Sequence, residues 1–209
     1  MMKLILVRHG ETDWNNERRW QGQLDVPLND TGERQARQVG QALADEPIGR
    51  LVSSDLQRAR TTATAIAAAC DLTISTDTRL REIGFGSWEG LSIDQIMEQD
   101  GDAYRRWREN PSAHAPIGGE TLDVTGRRVL SLWQEIKEID AETIVVVSHG
   151  GTLRVLLSHL LQLSPESFWQ LELDNASLST IKINQTGNTL ISLNDTQHLQ
   201  IEGEENELN

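Results

Sequence analysis

The feature that most constrains the fold of this chain is a set of short apolar runs separated by helical patterns. Each run suits one buried strand: KLILV at 3–7, LVSS at 51–54 and TIVVVSH at 143–149. Amphipathic stretches with three-to-four spacing lie between or after these runs, at 28–45, 55–70, 122–139 and 150–163. Strands that alternate with helices form a mostly parallel sheet. The sequence therefore predicts an α/β fold, a three-layer sandwich with helices on both faces of a central sheet.

Two segments depart from this alternation. The segment 178–193, LSTIKINQTGNTLISL, holds two β-prone runs around a Gly-Asn turn and predicts a hairpin at the sheet edge. The segment 84–119 carries Trp88, Tyr104 and Trp107 and predicts a short helical insertion over the site, which we call the lid. Its aromatic rings can either shape a substrate cavity or form the lid's own small core, and we favour the second.

Length and composition predict one domain over residues 1–209, with an acidic, solvated tail at about 202–209. No apolar run approaches the roughly 20 residues of a membrane-spanning helix. The apolar run near the start has only four residues after Lys3, which is too short for a signal peptide. We therefore expect a cytoplasmic protein. Cys70 is the only cysteine, so neither an intrachain disulfide nor a cysteine metal cluster can form.

The charge of the chain restricts its partners. The formal net charge is −13, which repels phosphate backbones and anionic membranes, so we expect no nucleic-acid or membrane partner. A small anionic metabolite remains compatible with this charge if arginines are focused in one pocket. The edge hairpin also allows a homodimer.

Two histidines follow buried strands directly. Arg8-His9-Gly10 ends the first apolar run and Ser148-His149-Gly150 ends another. Open α/β sheets bind their ligands at the carboxyl ends of the strands. The two imidazoles should therefore converge at one edge of the sheet.

Two further side chains belong to segments that leave the same edge. Arg58 lies one turn into a helix that follows the strand LVSS, and with Arg8 it could bind a phosphate through bidentate hydrogen bonds. Glu82 precedes a glycine-rich turn in RLREIGFGSWEGL. Taken alone, each of these residues would be read as an ordinary surface group, and it is their combination that indicates a site.

At these residues the chain resembles the histidine phosphatase superfamily, the phosphoglycerate-mutase-like enzymes. The motifs that carry the resemblance follow one another in the family's order and span nearly all of the chain: LVRHGETDWN, QGQLDVPLNDTGERQA, SSDLQRARTTA, EIGFGSWEGL, GGET and VVVSHGG.

The resemblance implies a role for each matching residue. His9 would be the nucleophile that becomes phosphorylated, and Glu82 would be the proton donor. The phosphate pocket and the substrate contacts would come from Arg8, Arg58 and His149 together with Thr12, Asn15, Gln21, Gly22 and Gly150.

These residue types suit phosphoryl transfer, which requires in-line positioning and positive charge around the phosphoryl oxygens. Two arginines and a second imidazole can supply that charge, and we expect neither a metal nor a cofactor. A neutral imidazole attacks phosphorus while Glu82 protonates the leaving oxygen, and the resulting carboxylate then activates water. Glu82 must therefore start in its protonated form, which burial or a neighbouring phosphate would favour.

Hydrolysis is favoured over mutase chemistry. The glycolytic mutases of the family have a longer insertion and an Arg-His-Tyr-Gly run after the acidic residue. Here Glu82 is followed by Ile-Gly-Phe-Gly, and the insertion is short. A phosphoglycerate mutase remains one alternative. A catalytically silent phospho-ligand-binding domain is another, although all five central residues are present.

The substrate preference rests on the last third of the chain. The pairs Phe168-Trp169 and His198-Leu199, together with the run DNAS at 174–177, resemble metal-independent phosphoserine phosphatases. Phe85 departs from that pattern, because those enzymes carry a histidine just after the acidic residue. The motifs of the last third nevertheless favour phosphoserine as the substrate, and a broad-specificity phosphatase and an α-ribazole phosphatase are the alternatives.

Overall fold

The computed structural model describes residues 1–199, so the predicted acidic tail lies outside the described residues. The strands are β1 (Met2–Arg8), β2 (Ile48–Ser53), β3 (Ile74–Thr76), β4 (Thr143–Ser148), β5 (Leu178–Ile183) and β6 (Thr189–Asp195). They form one sheet in the order β3-β2-β4-β1-β5-β6. The first four strands run parallel, and β5 and β6 are antiparallel. The predicted edge hairpin is confirmed.

The helices follow the strands much as the apolar spacing predicts. They are α1 (Asp13–Asn16), α2 (Asp30–Ala42), α3 (Gln57–Cys70), α4 (Ile93–Glu109), α5 (Leu122–Ile136) and α6 (Gly150–Leu160). Short 3₁₀ turns cover Thr78–Leu80, Gly86–Trp88, Pro165–Trp169 and Gln197–Leu199. Within the described part of the chain, no helix is both long and apolar enough to span a membrane.

Strand β1 shows why the sheet is covered on both faces. Its side chains alternate, so Leu4 and Leu6 pack with α5 and α6 while Ile5 and Val7 pack with α2 and α3. All four are buried. A strand that is apolar on both sides needs a helical layer on each face, and the three-layer sandwich is confirmed.

The lid contains α4, whose axis is broken at Asp100, where the backbone leaves helical geometry (φ −149°, ψ 38°). Trp88 and Trp107 are each 1% exposed and belong to an apolar cluster that also includes Phe85 and Phe168. Trp20 packs edge-on against Phe85 with ring centroids 4.4 Å apart. The lid aromatics therefore form a small core of their own, which also reaches residues before and after the lid.

Candidate active site

The register of the two central strands brings the histidines together. Arg8, the last residue of β1, pairs with Ser148, the last residue of β4, in a parallel ladder. His9 and His149 are the next residues, so they leave adjacent strands at the same level. Their ring centroids lie 5.1 Å apart. The predicted convergence of the two imidazoles is thus a direct result of strand pairing.

The backbone fixes the tautomer of His9. Its Nδ1 lies 2.6 Å from the carbonyl oxygen of Gly10. A carbonyl oxygen can only accept, so Nδ1 carries the proton and donates it. In the neutral ring the lone pair therefore resides on Nε2. His9 also lines a cavity, so this second nitrogen is the one available to a ligand.

His149 is fully buried, and its Nε2 lies 2.9 Å from the hydroxyl oxygen of Ser54. Ser54 directly follows β2, and its backbone N–H donates to the carbonyl of Val147 in β4. The Nδ1 atom of His149 is buried and has no hydrogen-bond partner among the described residues. Ser54 is a contact that the sequence analysis missed.

Both imidazoles are held neutral. Burial lowers the pKa of His9 well below its usual value, and the positive charges of Arg58 and Arg8 lower it further. Burial and the charge of Arg58 likewise lower the pKa of His149. A neutral imidazole is the nucleophilic form, so the arginines that could bind an anion also keep His9 reactive.

The two arginines at this site are anchored by the backbone. Arg8 donates from Nη1 to the carbonyl of Leu173, 2.6 Å away. Arg58 is fully buried and donates to the carbonyls of Gly22 and Leu24, each at 2.7 Å. Burial lowers the pKa of Arg58 to about 10, which leaves it charged at neutral pH. Fixed guanidinium groups are preorganised for a phosphoryl group.

Glu82 reaches the amino end of α6. Its Oε1 accepts the backbone N–H groups of Ile83 and Thr152 at 2.9 and 3.0 Å, and a further contact comes from the Thr152 hydroxyl at 3.3 Å. Its Oε2 accepts one N–H group, that of Gly151, at 3.0 Å. Oε2 is therefore the oxygen with room for a further hydrogen bond.

Arg8, His9, Arg58 and Glu82 line a cavity of about 190 Å³, which we call the histidine cavity, whereas His149 lies behind His9 and does not line it. Its lining residues are Arg8, His9, Asn15, Arg18, Arg19, Trp20, Gln21, Gly22, Arg58, Glu82 and Phe85. Four of them are arginines and one is a carboxylate. A chain of net charge −13 thus concentrates positive charge at one site, as an anionic ligand requires.

Two polar side chains present free amide atoms at the histidine cavity. The Oδ1 of Asn15 is occupied by Thr12 and Asn175, which leaves its Nδ2 amino group as the available donor. The Oε1 of Gln21 is buried and has no partner in the described part of the chain. Gly22 has φ +52°, and a Cβ there would lie 2.0 Å from Oε1 of Glu89, so any side chain at this position would be strained and would displace Glu89.

Two predicted substrate contacts lie elsewhere. Thr12 is fully buried and caps α1 through a reciprocal contact with Asn15, and it does not line the histidine cavity. Gly150 lines a neighbouring cavity of about 210 Å³, which we call the aromatic cavity. The structure therefore gives Thr12 a supporting position behind Asn15, and whether either residue contacts substrate stays a prediction.

The aromatic cavity is lined by Arg8, Trp20, Glu82, Ile83, Phe85, Trp107, Gly150, Gly151, Arg154, Phe168 and Trp169. It shares Arg8, Trp20, Glu82 and Phe85 with the histidine cavity, so the two spaces adjoin. The sequence analysis missed Arg154 as a cavity residue. A signal was present, because Gly150 and Arg154 are four residues apart and so lie on one helical face.

A larger apolar groove of about 380 Å³ is lined by residues of α5 and α6, among them Gly126, Leu130 and Val155. It contains none of the predicted site residues. Among the side chains that the structure describes, no three of His, Cys, Asp or Glu are grouped so that they could hold a metal ion.

Comparison with known proteins identifies the class to which this site belongs. The family model described as histidine phosphatase superfamily (branch 1) matches residues 4–196. The chain therefore belongs to the histidine phosphatase superfamily.

Particular relatives have different names. Phosphoserine phosphatase 1 of Hydrogenobacter thermophilus is 38% identical over 200 residues, which are 95% of each chain. A probable phosphoglycerate mutase of Yersinia pestis is 39% identical over 208 residues, which are 96% of each chain. The structure of a mycobacterial glucosyl-3-phosphoglycerate phosphatase with VO3 superimposes with a TM-score of 0.87 at 33% identity, covering 94% of this chain and 100% of that one.

Proposed function

We propose that the protein is a phosphomonoester phosphatase that acts through a phosphohistidine on His9, with phosphoserine as its preferred substrate. The observation that carries this proposal is the unprotonated Nε2 of His9, which the Gly10 carbonyl orients at a cavity lined by Arg8 and Arg58. A neutral nucleophile beside fixed guanidinium groups is what in-line phosphoryl transfer requires.

In the first step, Nε2 of His9 forms a bond to phosphorus as the ester P–O bond breaks. The leaving alkoxide takes a proton from the carboxyl group of Glu82, whose Oε2 has the free hydrogen-bonding position. Arg8 and Arg58 stabilise the negative charge on the equatorial phosphoryl oxygens. The products are the free alcohol, a Glu82 carboxylate and a phosphorylated His9.

In the second step, the Glu82 carboxylate takes a proton from water as the water oxygen bonds to phosphorus. The N–P bond breaks, which returns its electron pair to Nε2, and inorganic phosphate is released. Glu82 ends protonated and His9 ends neutral, so the enzyme is restored.

The choice of phosphoserine is supported by the relative from Hydrogenobacter thermophilus, which is named phosphoserine phosphatase 1 and aligns with this chain over 95% of its length. A second relative has almost the same sequence identity and is named a probable phosphoglycerate mutase, so mutase activity is the alternative function. A mutase must retain the phosphoryl group until an acceptor alcohol takes it. The test is to supply 3-phosphoglycerate and follow both free phosphate and 2-phosphoglycerate. Isomerisation without phosphate release would overturn the assignment as a phosphatase.

A panel of substrates distinguishes a phosphoserine phosphatase from a broad-specificity phosphatase and from an α-ribazole phosphatase. It contains phosphoserine, phosphothreonine, 3-phosphoglycerate, α-ribazole phosphate, sugar phosphates and an aryl phosphate. We expect kcat/KM for L-phosphoserine to exceed that of the other alkyl esters by at least tenfold. A flat profile would favour a broad-specificity phosphatase, and a preference for α-ribazole phosphate would favour that alternative. Activity that persists in EDTA is expected, and its loss would contradict metal-independent chemistry.

The His9→Ala variant tests the covalent step. It should lose both turnover and the acid-labile phosphoenzyme that forms with a radiolabelled substrate. A His9→Ala protein that folds and keeps wild-type turnover would refute the mechanism. If the wild-type protein released no phosphate from any ester but bound phosphate, it would be a silent binding domain.

A further inference from the structure

One further positive charge lies near the site, that of Arg154, the fifth residue of α6. Its side chain is half-buried and lines the aromatic cavity. Its Nε atom is buried without a hydrogen-bond partner, and the guanidinium forms no ion pair with any side chain that the structure describes. A guanidinium with a buried, unpartnered nitrogen at a cavity wall has hydrogen-bonding capacity left for an anionic ligand.

Glu82 lines the same cavity and is the carboxylate that most raises the pKa of Arg154, but its oxygens accept backbone N–H groups and not the guanidinium. The other described carboxylates near Arg154 are Glu172 and Asp174, and both are exposed. The Arg154 guanidinium lies instead 5.7 Å from the ring centroid of Phe168. Five aromatic side chains line the aromatic cavity, and an apolar wall lowers the local dielectric constant, which strengthens an ion pair that forms there.

We infer that Arg154 binds a second anionic group of the substrate, a carboxylate, while the phosphate lies at His9. The inference rests on the proposed function. The aromatic and histidine cavities share Arg8 and Glu82 at their boundary, so one small molecule can occupy both. A single guanidinium matches a single carboxylate in a bidentate contact. The substrate class is a phosphomonoester with a carboxylate a few bonds from the ester oxygen.

The test compares substrates that differ from phosphoserine in one ionic group. Phosphoethanolamine is phosphoserine without the carboxylate, and 3-phosphoglycerate has a carboxylate but no amine. For the wild-type protein, kcat/KM should be about 10- to 100-fold higher for phosphoserine than for phosphoethanolamine, as expected for a charge-assisted contact. This ratio needs no variant, so it tests the inference even if substitutions at Arg154 impair folding.

The Arg154→Gln variant should abolish the preference. Its kcat/KM should fall by the same 10- to 100-fold on phosphoserine and change less than threefold on phosphoethanolamine and p-nitrophenyl phosphate. Arg154→Lys should restore part of the preference. Arg108→Gln is the matched control, because this substitution removes the same charge from an exposed position. The Arg108 guanidinium stacks 3.8 Å from the centroid of the Trp169 ring and does not line the aromatic cavity.

The outcomes separate this inference from the proposed function. Equal losses on all three substrates, or an equal loss in Arg108→Gln, would overturn the role of Arg154 and leave the phosphatase intact. The role also fails if the wild-type protein hydrolyses phosphoserine and phosphoethanolamine equally well. If 3-phosphoglycerate is the better substrate and loses the same factor in Arg154→Gln, carboxylate binding stands and the choice of phosphoserine fails.

Discussion

Arg128 and Glu120 form a two-contact ion pair, with N–O distances of 2.9 and 2.8 Å, directly behind the segment that carries Glu82. The same guanidinium donates to the backbone carbonyls of Arg79, Arg81 and Glu82. Glu120 in turn accepts the backbone N–H of Gly84 at 2.9 Å. The pair thus binds the chain on both sides of Glu82.

Replacing Arg128 with Gln should displace Glu82 as well as destabilise the fold. The change leaves a partly buried carboxylate and several carbonyls without donors, and we expect a loss of about 3 kcal/mol in the free energy of unfolding. Hydrolysis of alkyl phosphates should fall more than that of aryl phosphates, because alkyl leaving groups need the proton of Glu82. Urea unfolding and kinetics on both ester types measure these effects.

Arg79→Gln is the matched control for this substitution. Arg79 lies on the same segment, but it pairs with Asp77 and the exposed Glu135 at the surface. We expect a stability loss of less than about 1 kcal/mol and unchanged kinetics. Equal effects of the two substitutions would show that Arg128 has no special relation to Glu82.

The buried imidazoles should make the protein sensitive to acid. Folding lowers the pKa of His9 and of His149, whereas in the unfolded chain each titrates near about 6.5. Below that pH the unfolded chain binds more protons, so their contribution to stability is full above it and declines as pH falls towards the folded pKa values. The slope is at most about 1.4 kcal/mol per pH unit for each group.

Urea unfolding of the phosphate-free protein between pH 7.5 and pH 5 measures this slope. The His9→Asn variant keeps a polar side chain with a hydrogen-bond donor and cannot titrate. The slope of its unfolding free energy against pH should therefore be smaller by the contribution of one histidine. A wild-type slope in His9→Asn would contradict the view that His9 is neutral in the folded state.

Glu82→Gln should distinguish substrates by their leaving groups. An alkoxide needs a proton, so the rate on phosphoserine should fall by roughly 10²- to 10⁴-fold. Nitrophenolate leaves without help, so phosphorylation of His9 by p-nitrophenyl phosphate should be affected far less. Hydrolysis of the phosphoenzyme loses its base, which predicts a fast burst of nitrophenolate followed by a slow steady state in rapid-quench kinetics.

Equal losses on alkyl and aryl esters without a burst would mean that Glu82 is not the acid. Glu89 is the nearest other carboxylate in the sequence of this segment, and it is the natural comparison. Its Oε1 accepts the backbone N–H groups of Gln23 and Phe85, both at 3.0 Å, and Glu89 lines neither cavity. Glu89→Gln should therefore alter loop stability without changing the dependence on the leaving group.

Arg58→Ala should weaken both phosphate binding and transition-state stabilisation. We expect kcat/KM to fall by roughly 10²- to 10³-fold, with weaker inhibition by inorganic phosphate, because the Arg58 guanidinium lines the histidine cavity beside His9 and a fixed positive charge there stabilises the phosphoryl oxygens. Loss of the bonds to Gly22 and Leu24 should also loosen the loop that carries Gln21. The exposed Arg60 on the same helix is the control, and Arg60→Ala should match the wild-type protein.

The sequence predicted those parts of the site that depend on local pattern. His9 and His149 follow apolar runs, and parallel pairing of those runs is enough to bring the rings together. The three-residue strand β3 was not predicted, because it has no fully buried position and no clear alternation. The helix predicted to continue to residue 139 ends at Ile136 instead.

Contacts that depend on the path of distant segments escaped the sequence analysis. Trp107 and Trp169 have ring centroids 5.0 Å apart although 62 residues separate them, and together they line one cavity. The burial of Arg58 depends on a loop more than thirty residues earlier, whose carbonyls accept its hydrogen bonds. Periodicity reports only which face of an element is apolar, so it cannot show which remote chain covers that face.

The short contact between Nδ1 of His9 and the Gly10 carbonyl also bears on positional isomerism. Histidine can carry a phosphoryl group on either ring nitrogen, and the two isomers differ in hydrolytic stability and in their phosphorus NMR signals. Here a main-chain oxygen occupies one nitrogen before any substrate arrives. A phosphoenzyme made by this protein would therefore be the Nε2 isomer alone, selected by the turn that follows β1 and independent of the ester that delivers the phosphoryl group.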